Sequence, residues 1–358
     1  MEAKAGSTYN IAVIAGDGIG REVMPEGMRV LEEVGHRCGI GFNWLEYPWS
    51  CDYYRAHGRM CPEDAMETLS KSDSIFLGAI GQPDVPDHIS LWQLLMPIRR
   101  SFDQYVNLRP VRLFRGISCP LAGMKPGDID YYVVRENSEG EYSQIGGRMF
   151  TGTPRETAFQ ESVFTRTGME RIMKYTFELA RKLNRPHVTS ATKSNGIIHT
   201  LPFWDQVFNE TSARYPGIRA NQLHIDAFCA NLVLKPQAFD VIVASNLFGD
   251  ILSDLGPATT GSLGIAPSGN LNPEREHPSM FEPVHGSAPD IAGRHIANPI
   301  GQIWSGAMML RHLGHGEAAD MVEKAIETVL AEGKTRTPDL GGKSSTEEVG
   351  KAIAGAVC

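Results

Sequence analysis

The feature that most constrains the fold of this chain is an alternation of short apolar segments with segments of helical periodicity. Residues 11–15 (Ile-Ala-Val-Ile-Ala) have the composition of a buried strand, and the turn Gly16-Asp-Gly-Ile-Gly20 and a helix to about Arg37 follow them. This alternation of strands with helices predicts an α/β fold. Further strands are predicted at residues 74–78, 131–135, 187–191 and 241–244.

Length and composition narrow the class of protein. A chain of 358 residues predicts about two domains. The net charge of −8 argues against nucleic acid as a partner. The six cysteines are scattered without a CxxC pair, which indicates reduced thiols rather than a zinc or redox site. Residues 1–10 are polar and no apolar run is long enough to span a bilayer, so we expect a cytoplasmic protein with no membrane partner.

A pair of aspartates four residues apart indicates a metal site. Asp250 and Asp254 follow a predicted strand, and their spacing places both on one face of a helix, where like charges repel. A hard divalent cation with oxygen ligands, Mg²⁺ or Mn²⁺, would relieve this repulsion. Asp226, which follows its own strand, is a candidate third ligand. The alternative is a helix N-terminus that is acidic because acidic residues suit the helix dipole.

Arginines, a lysine and a tyrosine are candidates for substrate binding and proton transfer. Guanidinium groups bind carboxylates through paired hydrogen bonds, which makes Arg99, Arg109 and Arg135 a candidate clamp. A metal and arginines nearby would lower the pKa of Lys193 toward that of a useful base, and Tyr142 is a second proton-transfer candidate. Taken singly, Arg99 is more simply a surface arginine, Lys193 a solvated loop lysine and Tyr142 a packed tyrosine.

The candidate nucleotide-binding segment is His285-Gly-Ser-Ala-Pro-Asp290 rather than the glycine-rich turn. The turn Gly16-Asp-Gly-Ile-Gly20 departs from GxGxxG and lacks the lysine of a P-loop, so a tight strand-to-helix turn is the simpler interpretation. The glycine and proline content of 285–290 indicates a shaped loop with available backbone amides. Asp290 would accept a hydrogen bond from a ribose 2′-hydroxyl and repel a 2′-phosphate, which favours NAD over NADP. Together, the metal site, the clamp and this loop predict oxidation of a hydroxy-diacid.

These residues resemble the isocitrate/isopropylmalate dehydrogenase family of metal-dependent β-decarboxylating dehydrogenases. The most specific matches are Asn107-Leu-Arg-Pro, Ser245-Asn-Leu-Phe-Gly-Asp-Ile-Leu-Ser-Asp254 and Glu282-Pro-Val-His-Gly-Ser-Ala-Pro-Asp-Ile-Ala-Gly293, and the resemblance extends from Ile11 to about Gly306. It implies a non-Rossmann α/β fold of two domains with a large mixed sheet. Residues 1–105 plus 262–358 would form the NAD-binding domain. Residues 106–261 would form the dimerisation and metal domain, with an arm around 141–160.

The resemblance also implies a role for each candidate residue. The substrate-carboxylate arginines are matched by Arg99, Arg109 and Arg135, and the acid–base pair by Tyr142 and Lys193. The Mg²⁺ or Mn²⁺ ligands are matched by Asp226, Asp250 and Asp254, and the NAD-binding residues by His285, Gly286, Ser287, Ala288, Pro289, Asp290 and Asn298. Lys193 and Asp226 would reach the site from the partner subunit, which implies a homodimer with shared active sites. The other implied ligands are a small dicarboxylate substrate and K⁺ as an additional cofactor.

Two segments indicate the subgroup. Residues 92–112 and 134–143 resemble the tartrate/D-malate type, whereas isopropylmalate enzymes more often carry a Leu-Thr-Gly-Gly-Ile-Tyr segment at the second position. The serine and asparagine that isocitrate enzymes use for a third carboxylate are not found near the start of the Arg99 helix. We therefore expect NAD-dependent oxidation and oxidative decarboxylation of D-malate or tartrate. The alternative is a 3-isopropylmalate dehydrogenase. A non-catalytic regulatory subunit is more remote, because such a subunit should lack part of the Lys/Tyr/Asp set.

Overall fold

The computed structural model describes residues 6–358. Residues 1–5 belong to the predicted polar N-terminus and to the predicted first domain, and they lie outside the described residues. The described part of the chain has the predicted mixed α/β fold with a large mixed sheet, which contains ten strands. Among these residues, no helix combines the length and the apolar character that crossing a lipid bilayer would require.

The strands are β1 (Thr8–Gly16), β2 (Gly41–Glu46), β3 (Ser74–Ala79), β4 (Val106–Arg112), β5 (Asp130–Glu136), β6 (Gly146–Met149), β7 (Thr157–Gln160), β8 (His187–Thr192), β9 (Arg219–His224), β10 (Val241–Ala244), β11 (Pro267–Leu271) and β12 (Ser279–Pro283). The α-helices are α1 (Gly20–Cys38), α2 (Cys51–His57), α3 (Ala65–Leu69), α4 (Asp87–Ser90), α5 (Met96–Ser101), α6 (Arg166–Lys182), α7 (Thr200–Ser212), α8 (Ile225–Leu234), α9 (Asn246–Thr260), α10 (Ile300–Leu313), α11 (Gly316–Glu332) and α12 (Thr346–Ala356). A π-helical turn, Leu91–Leu95, leads into α5, and short 3-10 turns occupy Pro236–Ala238, Leu263–Ile265 and Pro338–Leu340.

The first compact unit comprises the described residues up to Gln104, Arg109–Ile129 and Pro257–Cys358. Its strands run in the order β2-β1-β3-β12-β11, parallel except for the antiparallel pair β11 and β12. The predicted strand at 11–15 lies within β1, and its residues 11–14 are buried, as expected for a parallel strand covered on both faces. Helices α1, α10, α11 and α12 pack on one another beside this sheet.

The second compact unit comprises Tyr105–Leu108 and Asp130–Gly256. Its strands β5, β10, β8 and β9 are parallel and adjacent in that order, and α6 packs on the first three of them. The segment 141–160, predicted to be an exposed hairpin or arm, contains the antiparallel pair β6 and β7, and all eight of their residues are exposed. The predicted strands at 131–135, 187–191 and 241–244 correspond to β5, β8 and β10.

The two units divide the chain differently from the predicted domains at three places. Tyr105 belongs to the second unit rather than to the 1–105 segment. Arg109–Ile129 and residues 257–261 belong to the first unit rather than to the 106–261 segment. Local packing explains this placement. The Arg112 guanidinium pairs with Glu327 at 3.4 Å, and the thiol of Cys119 donates to the carbonyl of Thr259 at 3.1 Å. At Gly116 a Cβ would lie 2.0 Å from the carbonyl oxygen of Leu330, so the segment lies directly against α11.

The sequence Thr167-Gly-Met-Glu170 has the pattern of a capping box, and the helical spacing after it predicts an inward apolar face. The predicted start of this helix is wrong by two residues. The N-cap of α6 is Thr165, whose side chain accepts a hydrogen bond from the backbone N–H of Gly168 at 3.0 Å. Glu139 fixes Thr165 there by accepting from its backbone N–H at 2.9 Å and from its hydroxyl at 2.7 Å. The predicted inward face of the helix is confirmed, because Met169, Ile172, Met173, Thr176 and Ala180 are all buried.

Candidate active site

Three of the predicted site residues, Arg135, Tyr142 and Asp250, lie together in the second unit. The Arg135 side chain, only 6% exposed, forms an ion pair with Asp250. The Tyr142 hydroxyl donates to the other carboxylate oxygen of Asp250 at 3.1 Å, and the Arg135 guanidinium lies 5.6 Å from the Tyr142 ring centre. A cation, a phenol and a carboxylate are therefore in mutual contact.

Local sequence explains how Arg135 and Asp250 meet. Arg135 lies near the carboxyl end of β5, opposite Ala244 of β10, and α9 begins two residues after Ala244. The side-chain oxygen of Asn246 accepts from Nε and Nη2 of Arg135 at 3.1 and 2.8 Å. At Gly249 a Cβ would lie 2.5 Å from Cγ of Arg135, so glycine permits the first turn of α9 to lie against this side chain.

The electrostatics of this group favour a protonated phenol. Burial raises the pKa of Tyr142, and the negative charge of Asp250 raises it further, against the opposite effect of Arg135. The predicted repulsion between Asp250 and Asp254 is relieved at Asp250 by Arg135, while Asp254 is exposed one turn later on α9. Tyr142 therefore retains its proton at neutral pH.

Lys193 and Asp226 form a separate contact in the second unit. Lys193 directly follows β8, Asp226 is the second residue of α8, and the lysine Nζ lies 2.7 Å from a carboxylate oxygen of Asp226. The hydrogen bond from Lys193 lowers the pKa of Asp226. The carboxylates of Asp226, Asp250 and Asp254 have the hard oxygen donors that Mg²⁺ and Mn²⁺ prefer. Within residues 6–358 of one chain, however, no three His, Cys, Asp or Glu side chains are grouped to hold a metal ion.

Arg99 and Arg109 lie in the first unit. Arg99, on α5, pairs with Glu282 at 3.0 Å, and both side chains are about nine-tenths buried. The side-chain amide of Asn270 donates to the same oxygen of Glu282 at 2.7 Å. Nε of Arg99 is buried and has no hydrogen-bond partner among the described residues. Arg109, on β4, is also buried. The carboxylate of Glu282 therefore fixes the direction of one guanidinium of the predicted clamp.

The predicted nucleotide-binding residues form a loop in the first unit that follows β12. Ser287 and Asn298 are buried, Asp290 is exposed, and Asn298 donates to Asp339 at 3.0 Å. Ala288 has a φ of +41°, an uncommon value for a residue with a side chain, which gives the loop a defined bend.

The ring of His285 provides a test of whether this loop suits a nucleotide. Burial lowers the pKa of His285, so the ring is neutral at pH 7, and Nδ1 lies 3.0 Å from the carbonyl of Gly286. If Nδ1 carries the proton, Nε2 is an acceptor, and it has no hydrogen-bond partner among residues 6–358. The unpaired acceptor, together with the open space beside Gly286, fits the amino and hydroxyl donors of a nucleotide.

Sequence reasoning did not assign roles to Glu141, Asn246 and Glu282. Glu141 accepts from the Ser245 hydroxyl at 2.7 Å and from the backbone N–H of Leu247 at 3.0 Å, which joins the Tyr142 loop to the start of α9. Asn246 and Glu282 each hold an arginine of the predicted clamp. All three belong to the motif segments quoted above, but only their positions in space show what they contact.

Comparison with known proteins identifies the family. Residues 10–353 match the sequence model described as isocitrate/isopropylmalate dehydrogenase. The chain is 58% identical over 353 residues to the D-malate dehydrogenase (decarboxylating) of Escherichia coli (strain K12), with 97% of this chain and 98% of that protein covered. It is also 58% identical over 355 residues to the tartrate dehydrogenase/decarboxylase of Pseudomonas putida, with 97% of each protein covered.

A solved structure gives the same result. The crystal structure of isocitrate dehydrogenase from Methylococcus capsulatus matches with a TM-score of 0.88 and 32% identity, covering 98% of this chain and 99% of that chain. The chain therefore belongs to the isocitrate/isopropylmalate dehydrogenase family, and it is an oxidoreductase of the decarboxylating dehydrogenase type that acts on CH–OH groups.

Proposed function

We propose that this protein catalyses the NAD-dependent oxidation and metal-assisted oxidative decarboxylation of a small 2-hydroxy-diacid, namely D-malate, tartrate or both. The observation that carries the proposal is the 58% identity, over nearly the full length, to a D-malate dehydrogenase and to a tartrate dehydrogenase/decarboxylase. The proposal includes a cytoplasmic homodimer with shared active sites.

Arg99, Arg109 and Arg135 bind the carboxylates of the substrate. A guanidinium has five N–H donors in a planar fork, so Arg99 can keep its contact with Glu282 and still bind a carboxylate. The burial of Arg99 and Arg109 supports this role, because a charge-assisted hydrogen bond is stronger where water is excluded.

Lys193 and Tyr142 move the protons. Lys193 takes the proton of the substrate hydroxyl, directly or through one water molecule, as the carbon is oxidised. After CO₂ has left, Tyr142 gives a proton to the carbon that carried it. The raised pKa of Tyr142 supports this order, since the phenol is protonated and can act as the acid at neutral pH.

The carboxylates and the loop hold the cofactors. Asp250 and Asp254 of one subunit and Asp226 of the other hold Mn²⁺ or Mg²⁺. The loop residues 285–290 and Asn298 hold NAD, with Asp290 selecting against a 2′-phosphate. When bound, the cation supplies Lewis-acid polarisation and NAD supplies the hydride acceptor, while K⁺ assists as a monovalent cation.

The test is NADH formation from D-malate, L-tartrate and 3-isopropylmalate in parallel, with NAD, Mn²⁺ and K⁺ present. We expect turnover of D-malate or L-tartrate to exceed that of 3-isopropylmalate and to stop when a chelator is added. A preference for 3-isopropylmalate would assign the protein to the other branch of the family. Absence of turnover with all three substrates, in a folded and metal-loaded protein, would contradict the proposal.

Two lysine variants distinguish the loss of the proposed catalytic base from the loss of a positive charge elsewhere on the protein. Lys193→Ala should abolish turnover, because it removes the group that takes the hydroxyl proton. Lys174→Ala removes an exposed lysine from α6 and should leave turnover unchanged. Equal activity of the two variants would remove Lys193 from the mechanism.

A further inference from the structure

The glycine-rich turn that joins β1 to α1 lies against the nucleotide-binding loop. The backbone N–H of Ile19 donates to the carbonyl of Ser287 at 2.9 Å. At Gly18 a Cβ would lie 2.0 Å from that carbonyl oxygen and 2.9 Å from its carbon, and the φ of Gly18 is +51°. Only glycine permits an approach this close in this backbone conformation. The turn therefore contacts the backbone of the loop directly.

Glu22, in the first turn of α1, holds the far end of the same loop. One oxygen of its carboxylate accepts a hydrogen bond from the backbone N–H of Gly293 at 2.6 Å. The side chain is only 7% exposed. Its other oxygen has no hydrogen-bond partner among residues 6–358, and the nearest cationic candidate is Nδ1 of His295 at 3.7 Å. Burial of a carboxylate costs free energy unless the group is hydrogen-bonded or paired, and the hydrogen bond from Gly293 offsets part of that cost.

Apolar packing connects these two contacts. Ile19, Val23 and Ala297 form a buried cluster, and Ala288, Ile291 and Ala292 of the loop pack against it. The loop is thus held by backbone contacts at Ser287 and Gly293 and by apolar contacts between them. Both ends of its bend are fixed to the β1–α1 turn and to the first turn of α1.

We propose that the turn 16–20 and Glu22 form a second clamp, distinct from the arginine clamp, that shapes the nucleotide-binding loop. In this clamp Glu22 is a positioning residue for NAD. The glycine-rich turn then serves the cofactor indirectly: it holds the loop that binds the nucleotide, and it has no P-loop function of its own. This inference rests on the proposed NAD-dependent function.

The positions of strain in the loop are consistent with a clamp. Ala288 and His295 both have positive φ values, +41° and +56°. Side-chain-bearing residues keep such conformations only where surrounding contacts impose them. Ala288 follows the Ser287 contact directly, and His295 comes two residues after the Gly293 contact. Releasing either contact should let the loop relax away from the conformation that binds the cofactor.

Four variants test the clamp. Glu22→Ala should weaken NADH binding about tenfold or more, because it removes one charge-assisted hydrogen bond from the loop backbone. Glu22→Gln keeps an oxygen acceptor for the Gly293 N–H and should restore most of the affinity. Gly18→Ala should weaken NADH binding in the same direction. Glu33→Ala, which removes a partly exposed carboxylate paired with Arg37 on the same helix, should leave NADH binding unchanged.

The readouts are the NADH dissociation constant, by fluorescence titration, and the separate KM values for NAD and for the diacid. A clamp on the nucleotide loop should raise the KM for NAD and leave the KM for the diacid unchanged. A merely structural role would instead lower the melting temperature and leave the dissociation constant of the folded protein unchanged. Normal NADH binding by Glu22→Ala, or equal losses in Glu22→Ala and Glu22→Gln, would overturn the proposal.

Hydrogen exchange in the unmodified protein gives a second test, which does not depend on whether the variants fold. The amide of Gly293 should be protected before NADH is added, because the clamp exists without the cofactor. Rapid exchange of this amide would overturn the proposal. Failure of the unmodified protein to bind NADH at all would contradict the proposed function instead, so the two failures can be told apart.

Discussion

At the scale of single residues, Tyr142 combines a protonated phenol with a neighbouring carboxylate. Its hydroxyl donates to Asp250 at 3.1 Å, and its pKa is raised first by burial and then by the charge of Asp250. Because an acid with a raised pKa keeps its proton to higher pH, the Tyr142 phenol is available as a proton donor at neutral pH. The contact with Asp250 also couples the proton donor to a proposed metal ligand.

The Tyr142→Phe variant tests this role, because it removes only the hydroxyl. We expect kcat for decarboxylation to fall by about 10²- to 10⁴-fold, the usual contribution of a positioned acid, while NADH binding is unchanged. The matched control is Tyr215→Phe, which removes a hydroxyl that donates to Glu178 at 2.9 Å in the same unit. Steady-state kinetics of both variants and NADH titration make the comparison. Equal kcat values for the two variants would show that the Tyr142 hydroxyl is not the acid.

At the scale of elements, the start of α6 depends on a contact between distant parts of the chain. Thr165 caps the helix at Gly168, and Glu139 binds Thr165 through two hydrogen bonds. Thr165→Ala should lower the free energy of unfolding by about 1 kcal/mol, the usual value for loss of an N-cap. Thr167→Ala changes an exposed residue inside the first turn and should have a smaller effect. Urea unfolding of the two variants measures the difference, and an equal loss would contradict the assignment of Thr165 as the cap.

The same helix shows what the sequence can predict. Its buried face follows from the helical spacing of Met169, Ile172 and Met173, as the buried strands follow from apolar runs such as 241–244. The position of the cap could not be predicted, because Thr165 and Thr167 both resemble helix starts. The deciding partner, Glu139, lies 26 residues away in the sequence.

The candidate site likewise contains contacts that the sequence could predict and contacts that it could not. Arg135 and Asp250 could be identified as residue types that follow or end strands, and the structure brings them into contact. That Arg135 neutralises Asp250 directly could not be foreseen, because their approach depends on the missing side chain of Gly249. The contact of Glu22 with Gly293 likewise joins residues 271 positions apart.

At the scale of the whole molecule, exposed apolar side chains support the proposed homodimer. Ile145, Phe150 and Phe159 of the 141–160 segment are each about half exposed, and Leu234 on α8 is 69% exposed. Three of these side chains share one short segment, and exposed apolar side chains grouped in this way are typical of a surface that associates with another protein. A second copy of the chain would cover them and would also bring in Lys193 and Asp226.

Complementation between inactive variants tests the shared active sites. In the proposed dimer, each site combines Asp250 of one subunit with Lys193 of the other. A mixed dimer of Lys193→Ala and Asp250→Asn chains therefore has one site with both mutations and one site with neither. Each variant alone should be inactive, whereas random reassortment of equal amounts should restore about a quarter of the unmodified activity, since half of the dimers are mixed.

The control for complementation is a mixture of Lys193→Ala with Asp226→Asn. Both residues are proposed to reach a given site from the same subunit, and they contact each other at 2.7 Å within one chain. Every site of a mixed dimer then carries one of the two mutations, so no activity should return. Absence of recovery in the Lys193→Ala and Asp250→Asn mixture, after confirmed exchange of subunits, would mean that each site is built from a single chain. Recovery in the control would instead mean that Lys193 and Asp226 of a given site come from different subunits. Recovery in the first mixture alone would mean that the metal-binding carboxylates become a site only when two chains meet.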